Sequence, residues 1–322
     1  MSSVSMPSHS SRIRNRSSAI EVDWGVATHV GNVRSLNEDV TCASPPVFAV
    51  ADGMGGHDGG EIAASLAAGA LSAFTSGRSL QRSSLLSSIS AAGTLIFEHS
   101  GRGEKVMGTT LTGIAFTDER QPSVAVFNVG DSRTYLLENG VLTQVTRDHS
   151  YVQELFDAGK LTIDEMSSHP ERNVVTRALG VDQDVEVDET TVLASVGQRW
   201  MMCSDGLTGE VTPSELEDLL ANGSPQEAAD ALVRLTLERT ASDNVSVVIV
   251  DVVGLEQLDD PDRTDPRVRR VEAESAPEKA GSSGIIDAVP AVTRQAPPTA
   301  APQIELIDSV PDGLRQEVKR EG

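Results

Sequence analysis

The stretch VFAVADGMGG, residues 47–56, places an uninterrupted apolar run directly before an aspartate and a glycine-rich segment. An apolar run of this length that ends at turn residues is typical of a strand buried on both faces. The aspartate, Asp52, comes where that strand leaves the core, so its carboxylate is held on a rigid element. The stretch therefore predicts a central strand, covered on both sides, with a carboxylate at its end.

Other short runs along the chain share this richness in Val, Ile, Thr and Phe between turn residues. Predicted strands cover Val22–His29, Val47–Ala51, Thr109–Phe116, Ser123–Val129, Arg133–Leu137, Val185–Val192, Arg199–Cys203 and Val245–Val252. Helical spacing predicts helices over Gly60–Phe74, Ser84–His99 and Pro225–Glu238, the last with Ser224 as its N-cap and Pro225 in its first turn. Two consecutive helices followed by a meander of strands fit mixed layers better than a regular alternation. We therefore expect an α+β fold.

The two ends of the chain differ in composition from its centre. Residues 1–20 are rich in Ser and contain no aromatic residue, and residues 254–322 hold more than half of the prolines and no Phe, Trp or Tyr. Segments with so little apolar surface cannot offset the loss of chain entropy on folding. We predict a disordered leader over 1–20, one domain over 21–253, and a disordered, acidic, Pro- and Ala-rich tail over 254–322.

Charge and cysteine content exclude several classes of function. Asp and Glu number 48 against 26 Lys and Arg, which gives a formal net charge of −22. Such a chain repels a nucleic-acid backbone and an anionic membrane surface, so we expect neither as a partner. No apolar run is long enough to span a bilayer. Cys42 and Cys203 form no CxxC pattern, and we expect a cytoplasmic protein without a disulfide framework or a zinc site.

Carboxylates recur at the ends of the predicted strands. Four aspartates share this position: Asp52, Asp131, Asp205 and Asp243. Glycines flank three of them, in Asp52-Gly53, Gly130-Asp131 and Asp205-Gly206. One such pair is usually an ordinary turn. Four strand-end carboxylates together predict an oxygen-rich site for a hard cation such as Mg²⁺.

Seven short motifs follow one another between Val22 and Val252: GNVRSLNED (31–39), ADGMGGH (51–57), MGTT (107–110), NVGDSR (128–133), TRALG (176–180), CSDGLT (203–208) and SDNVS (242–246). With these motifs the chain resembles the bacterial form of the metal-dependent protein phosphatases, also called type 2C serine/threonine phosphatases. The resemblance implies a four-layer α-β-β-α sandwich of two antiparallel sheets flanked by helices. It also implies a metal site at one end of that sandwich.

The resemblance assigns metal-binding roles to the carboxylates. Asp52 would bridge two ions, with the Glu38 carboxylate and the Gly53 carbonyl as further protein ligands of one ion. Asp205 and Asp243 would hold the other ion. The implied cofactor is Mg²⁺ or Mn²⁺, two ions with a weaker third.

Three further residues take roles around these ions in the same resemblance. Asp39 would lie behind the metal ligands and orient metal-bound water. Asp131 together with Asp205 would hold the third ion. Arg34 would bind the substrate phosphate, because its planar guanidinium can take two phosphate oxygens at once. A surface salt bridge from Arg34 to Glu38 or Asp39 is the alternative, and the surrounding motif favours phosphate binding.

The implied reaction is hydrolysis of phosphoserine and phosphothreonine in proteins, by direct attack of a water that the ions activate. Phosphorylated proteins, among them bacterial Ser/Thr kinases and their substrates, are the implied partners. Eukaryotic members carry a histidine directly after the Asp-Gly pair, where this chain has Met54. The general acid therefore stays open between His57 and a metal-bound water. We interpret His149 and His169 as solvent-exposed bystanders.

Other functions remain as alternatives. A partner-switching phosphatase of the same superfamily generally lacks the phosphate-binding arginine and the mobile flap, which corresponds here to Leu155–Arg172. A pseudophosphatase would be marked by loss of a metal aspartate, and a non-enzymatic acidic scaffold leaves the order of the motifs unexplained. The residues therefore favour a phosphatase that acts on ordinary phosphoproteins.

Overall fold

The computed structural model describes residues 9–14, 18–55, 59–74, 79–101, 107–117 and 121–258. The strands in these ranges are β1 (His9–Arg14), β2 (Ser18–His29), β3 (Asp39–Ser44), β4 (Val47–Gly55), β5 (Met107–Thr109), β6 (Leu111–Thr117), β7 (Ser123–Val129), β8 (Arg133–Glu138), β9 (Val141–Gln144), β10 (Asp188–Leu193), β11 (Arg199–Cys203) and β12 (Val245–Gln257). The helices are α1 (Gly59–Ser72), α2 (Arg82–His99), α3 (Tyr151–Asp157), α4 (Ile163–Ser168), α5 (Asp205–Thr208), α6 (Pro213–Leu220) and α7 (Pro225–Leu237).

The strands form two antiparallel sheets. The first sheet has the order β1-β2-β12-β11-β8-β9, and the second has the order β10-β7-β6-β4-β3 with β5 paired to β4. In the second sheet β3 pairs with β4 and β6 pairs with β7, each with its neighbour in the chain as in the predicted meander. The other two pairs join distant segments, because α1 and α2 lie between β4 and β6 in the sequence and β7 pairs with the much later β10. In the first sheet β12 pairs with both β2 and β11, so the last described strand joins the beginning of the domain to its later half.

Apolar clusters separate four layers. One cluster, which includes Phe48 and Trp200, fills the space between the two sheets. Another, which includes Ala67, packs α1 and α2 against the second sheet. A third, which includes Leu232, packs α5, α6 and α7 against the first sheet. This order of layers confirms the predicted α+β fold, a four-layer α-β-β-α sandwich.

Strand β4 shows why the run at residues 47–51 has no polar position. Phe48 and Val50 point into the cluster between the sheets. Val47, Ala49 and Ala51 point the other way, into the cluster beneath α1 and α2. Because successive side chains of a strand face opposite sides, a strand buried on both faces needs apolar residues throughout.

The three predicted helices are confirmed as α1, α2 and α7, with ends displaced by one or two residues. Ser224 caps α7 by accepting the backbone N–H of Glu227, and Pro225 is the first helical residue. Both features match the prediction. No helix in the described ranges combines the length and the apolarity required to cross a membrane.

Several predicted boundaries are wrong, and β3, β9 and α3–α6 were not predicted. The expected strand Thr109–Phe116 is divided into β5 and β6 at Thr110. The expected strand Val185–Val192 begins only at Asp188, because Val185 and Val187 pack against the cluster beneath α1 and α2 from a loop. The residues of this loop have the composition of a strand, but their backbone does not pair with a neighbouring strand.

The predicted disordered leader over residues 1–20 is wrong for the residues that the structure describes there. His9–Arg14 form β1, and β2 begins at Ser18. Ile13 is buried in the cluster between the sheets, and β1 pairs along β2. One buried side chain and a ladder of backbone hydrogen bonds are enough for an edge strand, so its composition stays polar.

The predicted tail also begins too early. Strand β12 continues to Gln257, because residues 254–257 pair with β2 beyond a bulge between Val252 and Gly254. Residues 259–322, to which most of the tail prediction applies, lie outside the described residues. Cys42 and Cys203 are both free and buried.

Candidate metal centre

The predicted ligands lie at strand ends on one side of the sandwich. Asp39 and Asp52 are direct neighbours across the β3–β4 pair. Loss of hydration raises the pKa of Asp52 well above its usual value, and the charges of nearby aspartates raise it further: Asp39, Asp205, Asp131 and Asp243. The structure thus brings together the carboxylates that the sequence placed far apart.

The backbone of Asp52 is held by the two threonines that divide β5 from β6. The Asp52 N–H donates to the Thr110 hydroxyl at 3.1 Å, and the Thr110 N–H donates to the Asp52 carbonyl at 2.9 Å. The Thr109 hydroxyl also donates to that carbonyl at 2.9 Å. Both threonines are buried. Both threonines therefore fix the backbone of Asp52, which is a structural role.

Asp39 has one satisfied and one unsatisfied oxygen. The Ser204 hydroxyl donates to Asp39 Oδ2 at 2.8 Å and itself accepts the backbone N–H of Ser246 at 3.0 Å. Asp39 Oδ1 is buried without a hydrogen-bond partner among the described residues. Burial raises the pKa of Asp39 to about 6, against the lowering effect of the serine hydroxyls. A buried, unpaired carboxylate oxygen among other carboxylates is suited to a cation.

Glu38 lies against the first turn of α1. The Gly53 N–H donates to the Glu38 carbonyl at 3.2 Å, which ties Glu38 to the end of β4. A side chain at Gly60 would place its Cβ 2.6 Å from Glu38 Oε1, so the glycine makes room for the carboxylate. Burial raises the pKa of Glu38, while the charge of Arg34 and the Gly60 N–H lower it. The helix N-terminus favours the ionised form at this position.

Arg34 forms an ion pair at the mouth of this cluster. Its Nη2 donates to Asp243 Oδ2 at 2.9 Å, and both side chains are about half exposed. The alternative interpretation named Glu38 or Asp39 as the ion-pair partner, and the structure shows Asp243 instead. The hydrogen bond and charge of Asp243 raise the pKa of Arg34. An exposed pair of this kind is weak, so Arg34 can turn from Asp243 towards an arriving anion.

Asp131 lies on a turn that a buried histidine supports. His149 Nδ1 accepts the Gly130 N–H at 3.0 Å, and His149 Nε2 lies 3.1 Å from Asp188 Oδ2. Arg177 of the TRALG motif contacts both His149 and Asp188. The interpretation of His149 as an exposed bystander is therefore wrong, since the protein uses both ring nitrogens. Burial, followed by the charges of neighbouring aspartates, raises the pKa of Asp131 to about 7.

Other predicted residues are less informative. His57 lies outside the described residues. His169 is partly exposed and accepts the Glu171 N–H on Nδ1. Met54 pairs with Gly108 across β4 and β5 and offers no proton to a leaving group.

The donor set fits a hard cation. Carboxylates and one backbone carbonyl supply only oxygen, and the cluster contains no cysteine or histidine ligand. Among the described residues, no three acidic, histidine or cysteine side chains are arranged to hold one ion. Asp243 is hydrogen-bonded to Arg34, and Asp205 lies close enough to Asp52 to raise its pKa, so these carboxylates would have to turn towards an ion to form a coordination shell. The chemistry of these oxygen donors fits Mg²⁺ or Mn²⁺.

We expect the protein in excess chelator to lose stability as the pH rises from about 5 to about 7.5. Asp39 and Asp131 have pKa values of about 6 and about 7, against about 3.9 for an unfolded aspartate. In this range the folded protein binds more protons than the unfolded chain, so the free energy of unfolding falls with pH. Thermal unfolding followed by circular dichroism at several pH values measures this fall.

The Asp131→Asn variant should flatten that profile, because an amide has no proton to lose. Asp184 is exposed, so Asp184→Asn is the matched control and should reproduce the wild-type slope. Identical slopes for Asp131→Asn and the wild type would contradict the role of Asp131 in the pH dependence.

Comparison with known proteins finds relatives of one family. A family model described as protein phosphatase 2C matches residues 37–246. The serine/threonine protein phosphatase PstP of Mycobacterium tuberculosis is 38% identical over 231 residues, which are 69% of this chain and 43% of PstP. The chain thus spans less than half of the length of that relative. The serine/threonine phosphatase stp of Listeria monocytogenes is 35% identical over 238 residues, 70% of this chain and 93% of the relative.

Solved structures show the same similarity. A crystal structure of the M. tuberculosis PstP matches with a TM-score of 0.67 and 36% identity, over 72% of this chain and 99% of that one. A structure of the PstP catalytic domain in complex with two manganese ions matches with a TM-score of 0.66 and 34% identity, over 72% and 99% of the two chains.

Proposed function

This chain belongs to the protein phosphatase 2C family, and from that premise we propose that it hydrolyses phosphoserine and phosphothreonine in proteins with Mg²⁺ or Mn²⁺ as cofactor. The observation that carries the proposal is the carboxylate cluster around Asp52, with Arg34 at its mouth. The manganese ions of the PstP catalytic domain support the choice of cofactor.

We assign the ligands as the resemblance implies, and the clustering of aspartates around Asp52 supports the assignment. Asp52 would bridge two ions, with Glu38 and the Gly53 carbonyl on one side and Asp205 and Asp243 on the other. Asp131, whose carboxylate interacts with Asp205, would hold a weaker third ion. When bound, the ions supply Lewis acidity, which offsets the carboxylate charge and makes nearby water acidic enough to react at neutral pH.

The chain's own residues bind and orient the substrate. Arg34 would take two oxygens of the phosphate, for which its exposed guanidinium only has to leave Asp243. Asp39, fixed by Ser204, would orient water through its unpaired oxygen. Met54 cannot donate a proton, so His57 or a water remains the proposed source of the proton for the leaving alkoxide.

We extend the proposal to partners and compartment. Phosphorylated proteins, including Ser/Thr kinases and their substrates, are the proposed partners, with the chain reversing kinase signalling. The two free, buried thiols support a reducing compartment such as the cytoplasm. The presence of Arg34 and of a flap segment that contains α4 and the end of α3 favours ordinary phosphoproteins over the substrates of a partner-switching phosphatase.

The test is phosphate release from a phosphothreonine peptide with Mn²⁺, and with Mn²⁺ plus excess chelator. Release should require the metal, and Arg34→Lys should lower kcat/KM by about tenfold, because an ammonium cannot take two phosphate oxygens in a planar fork. Arg82→Lys is the matched control, since Arg82 is an equally exposed, ion-paired arginine, 48% against 52% for the side chains. It should retain wild-type kinetics.

Two outcomes would overturn this proposal. Release that persists in chelator would exclude the metal-dependent reaction. A folded, Mn²⁺-loaded protein that releases no phosphate would favour a pseudophosphatase, which binds phosphoproteins without turnover.

A further inference from the structure

The loop between β2 and β3 carries Arg34 and Glu38 but has little apolar anchoring of its own. Val33 is 69% exposed and Leu36 is 40% exposed, so neither side chain holds the loop to the core. A loop with so few buried contacts moves unless polar groups fix its backbone. The hydrogen bonds of this backbone therefore decide where Arg34 and Glu38 lie.

The side chain of Asn244 ties three points of this loop together. Asn244 Oδ1 accepts the Glu38 N–H at 2.8 Å. Its Nδ2 donates to the Val30 carbonyl at 2.9 Å and to the Leu36 carbonyl at 2.9 Å. Asn244 is 5% exposed, so these bonds are shielded from water. Only a neutral amide both accepts one backbone bond and donates two at this position.

The backbone of Asn244 contacts the other side of the metal centre. Its N–H donates to Asp243 Oδ1 at 2.9 Å, which limits the rotation of that carboxylate. Its carbonyl oxygen lies against Gly206, where an added Cβ would be 2.0 Å away. One residue thus connects the Arg34 loop with Asp243 and with the turn that follows Asp205.

Asn32 anchors the same loop at a second point. Its Nδ2 donates to the carbonyl of Leu237, the last residue of α7, at 3.1 Å and to the Arg239 carbonyl just beyond the helix at 3.3 Å. Its backbone N–H donates to the Ala241 carbonyl at 2.7 Å. The preceding Gly31 has a φ of +81°, and an added Cβ would lie 2.2 Å from the Asp243 carbonyl. The loop is thereby seated on the segment that leads into Asp243.

We propose that Asn244 is a positioning residue, which holds the loop with Arg34 and Glu38 at a fixed position relative to Asp243 and Asp205. Asn32 is the second anchor of the same loop. The proposal rests on the proposed phosphatase activity. Neither asparagine touches the substrate or supplies a side-chain ligand to an ion. Asn244 acts on phosphate through Arg34, and on the metal through Glu38 and Asp243.

The test is a double-mutant cycle of Asn244→Ala with Arg34→Ala, measured as kcat and KM for a phosphothreonine peptide at saturating Mn²⁺. Alone, Asn244→Ala should lower kcat/KM by about ten- to hundredfold, largely through KM. The reason is that a small displacement of Arg34 strongly weakens its contact with the substrate phosphate. In the Arg34→Ala background the same change should have an effect of only a few-fold. An equal loss in both backgrounds would overturn the proposal.

Mn²⁺ binding followed by electron paramagnetic resonance gives a readout that does not depend on turnover. Asn244→Ala should weaken Mn²⁺ several-fold through Glu38 and Asp243, and unchanged affinity would contradict that part of the proposal. Asn222→Ala is the matched control, because the Asn222 side chain donates to the carbonyl of Asp218 in α6, and loss of this bond does not involve the loop between β2 and β3. It should leave both measurements unchanged.

Asn32→Ala keeps the test decisive if Asn244→Ala does not fold. Asn32 is exposed and makes no bond to Glu38. Its removal should raise KM several-fold with Mn²⁺ affinity near that of the wild type, and an unchanged KM would overturn the anchoring role. If the wild type binds Mn²⁺ but releases no phosphate, the proposed function fails, whereas the effect of Asn244→Ala on Mn²⁺ affinity is still measured.

Discussion

The Asp52→Asn variant should lose phosphate release from a phosphothreonine peptide by at least about a thousandfold, while its metal-free form becomes more stable than the wild type. The amide keeps the shape of the side chain but removes the charge that would bridge two cations. Loss of hydration, followed by the charges of neighbouring carboxylates, opposes the ionised form of Asp52 and raises its pKa. Removing that charge relieves repulsion in the folded protein, since the unfolded chain separates the aspartates.

Two measurements separate these effects. Thermal unfolding in chelator should give a higher midpoint for Asp52→Asn than for the wild type near neutral pH. Added Mn²⁺ should raise the wild-type midpoint and leave that of the variant almost unchanged, because a ligand stabilises only a state that binds it. Near wild-type turnover by Asp52→Asn would exclude Asp52 as the bridging ligand.

Asp148→Asn is the matched control, because the same substitution there should change stability in the opposite direction. The Asp148 carboxylate is buried and accepts hydrogen bonds from Arg133 Nε at 3.0 Å and Arg133 Nη2 at 2.7 Å. The amide would break this pairing and lower the free energy of unfolding by about 1–3 kcal/mol. A gain of stability in both variants would mean that reduced net charge, rather than the local cluster, governs the response.

The strand-end carboxylates could be predicted from sequence because local signals place them. An apolar run identifies a buried strand, and the next polar residue must leave the core where that strand ends. Asp205 after β11 follows this rule, and Asp52 lies where the apolar run of β4 ends, although that strand continues to Gly55. The convergence of these ends on one site needed the resemblance as well, because the order of strands in a sheet is not a local property.

The residues that hold the ligands in place could not be found in this way. Asn244 acts on a loop that lies far away in the chain, and His149, just before α3, supports Gly130 across a separation of 19 residues. Neither residue type signals such a contact by itself. Both asparagine and histidine are common in exposed loops, and only the pairing of distant segments shows that these two are buried.

Some missed elements did carry a local signal. Helices α4 and α6 begin with capping boxes, Thr162 with Glu165 and Thr212 with Glu215, and each pair is a Thr-x-x-Glu pattern readable in the sequence. Helix α6 also has a proline in its first turn. Their short length hid them, because fewer than three turns show little hydrophobic periodicity. Strand β1 had no comparable signal and depends on its pairing with β2.

The Gly206→Ala variant should lose about a hundredfold in kcat/KM and about 1–3 kcal/mol in the free energy of unfolding. The added Cβ would lie 2.0 Å from the carbonyl oxygen of Asn244, far inside van der Waals contact. Both partners in this clash are parts of the proposed site, since Gly206 follows Asp205 and Asn244 follows Asp243. Relief of the clash must move at least one of these carboxylates.

Gly69→Ala is the matched control for this change, because Gly69 is exposed in α1 and an added Cβ meets nothing within 4 Å. In a helix, alanine is more favourable than glycine, so Gly69→Ala should raise the free energy of unfolding by about 0.5–1 kcal/mol without changing kcat/KM. Kinetics for Gly206→Ala should be measured well below its unfolding midpoint, so that loss of turnover reports geometry rather than unfolded protein. If Gly206→Ala then binds Mn²⁺ and turns over like the wild type, the segments that carry Asp205 and Asp243 can move apart without loss of metal binding or activity. That result would contradict the close contact on which the alignment of Asp205 and Asp243 depends.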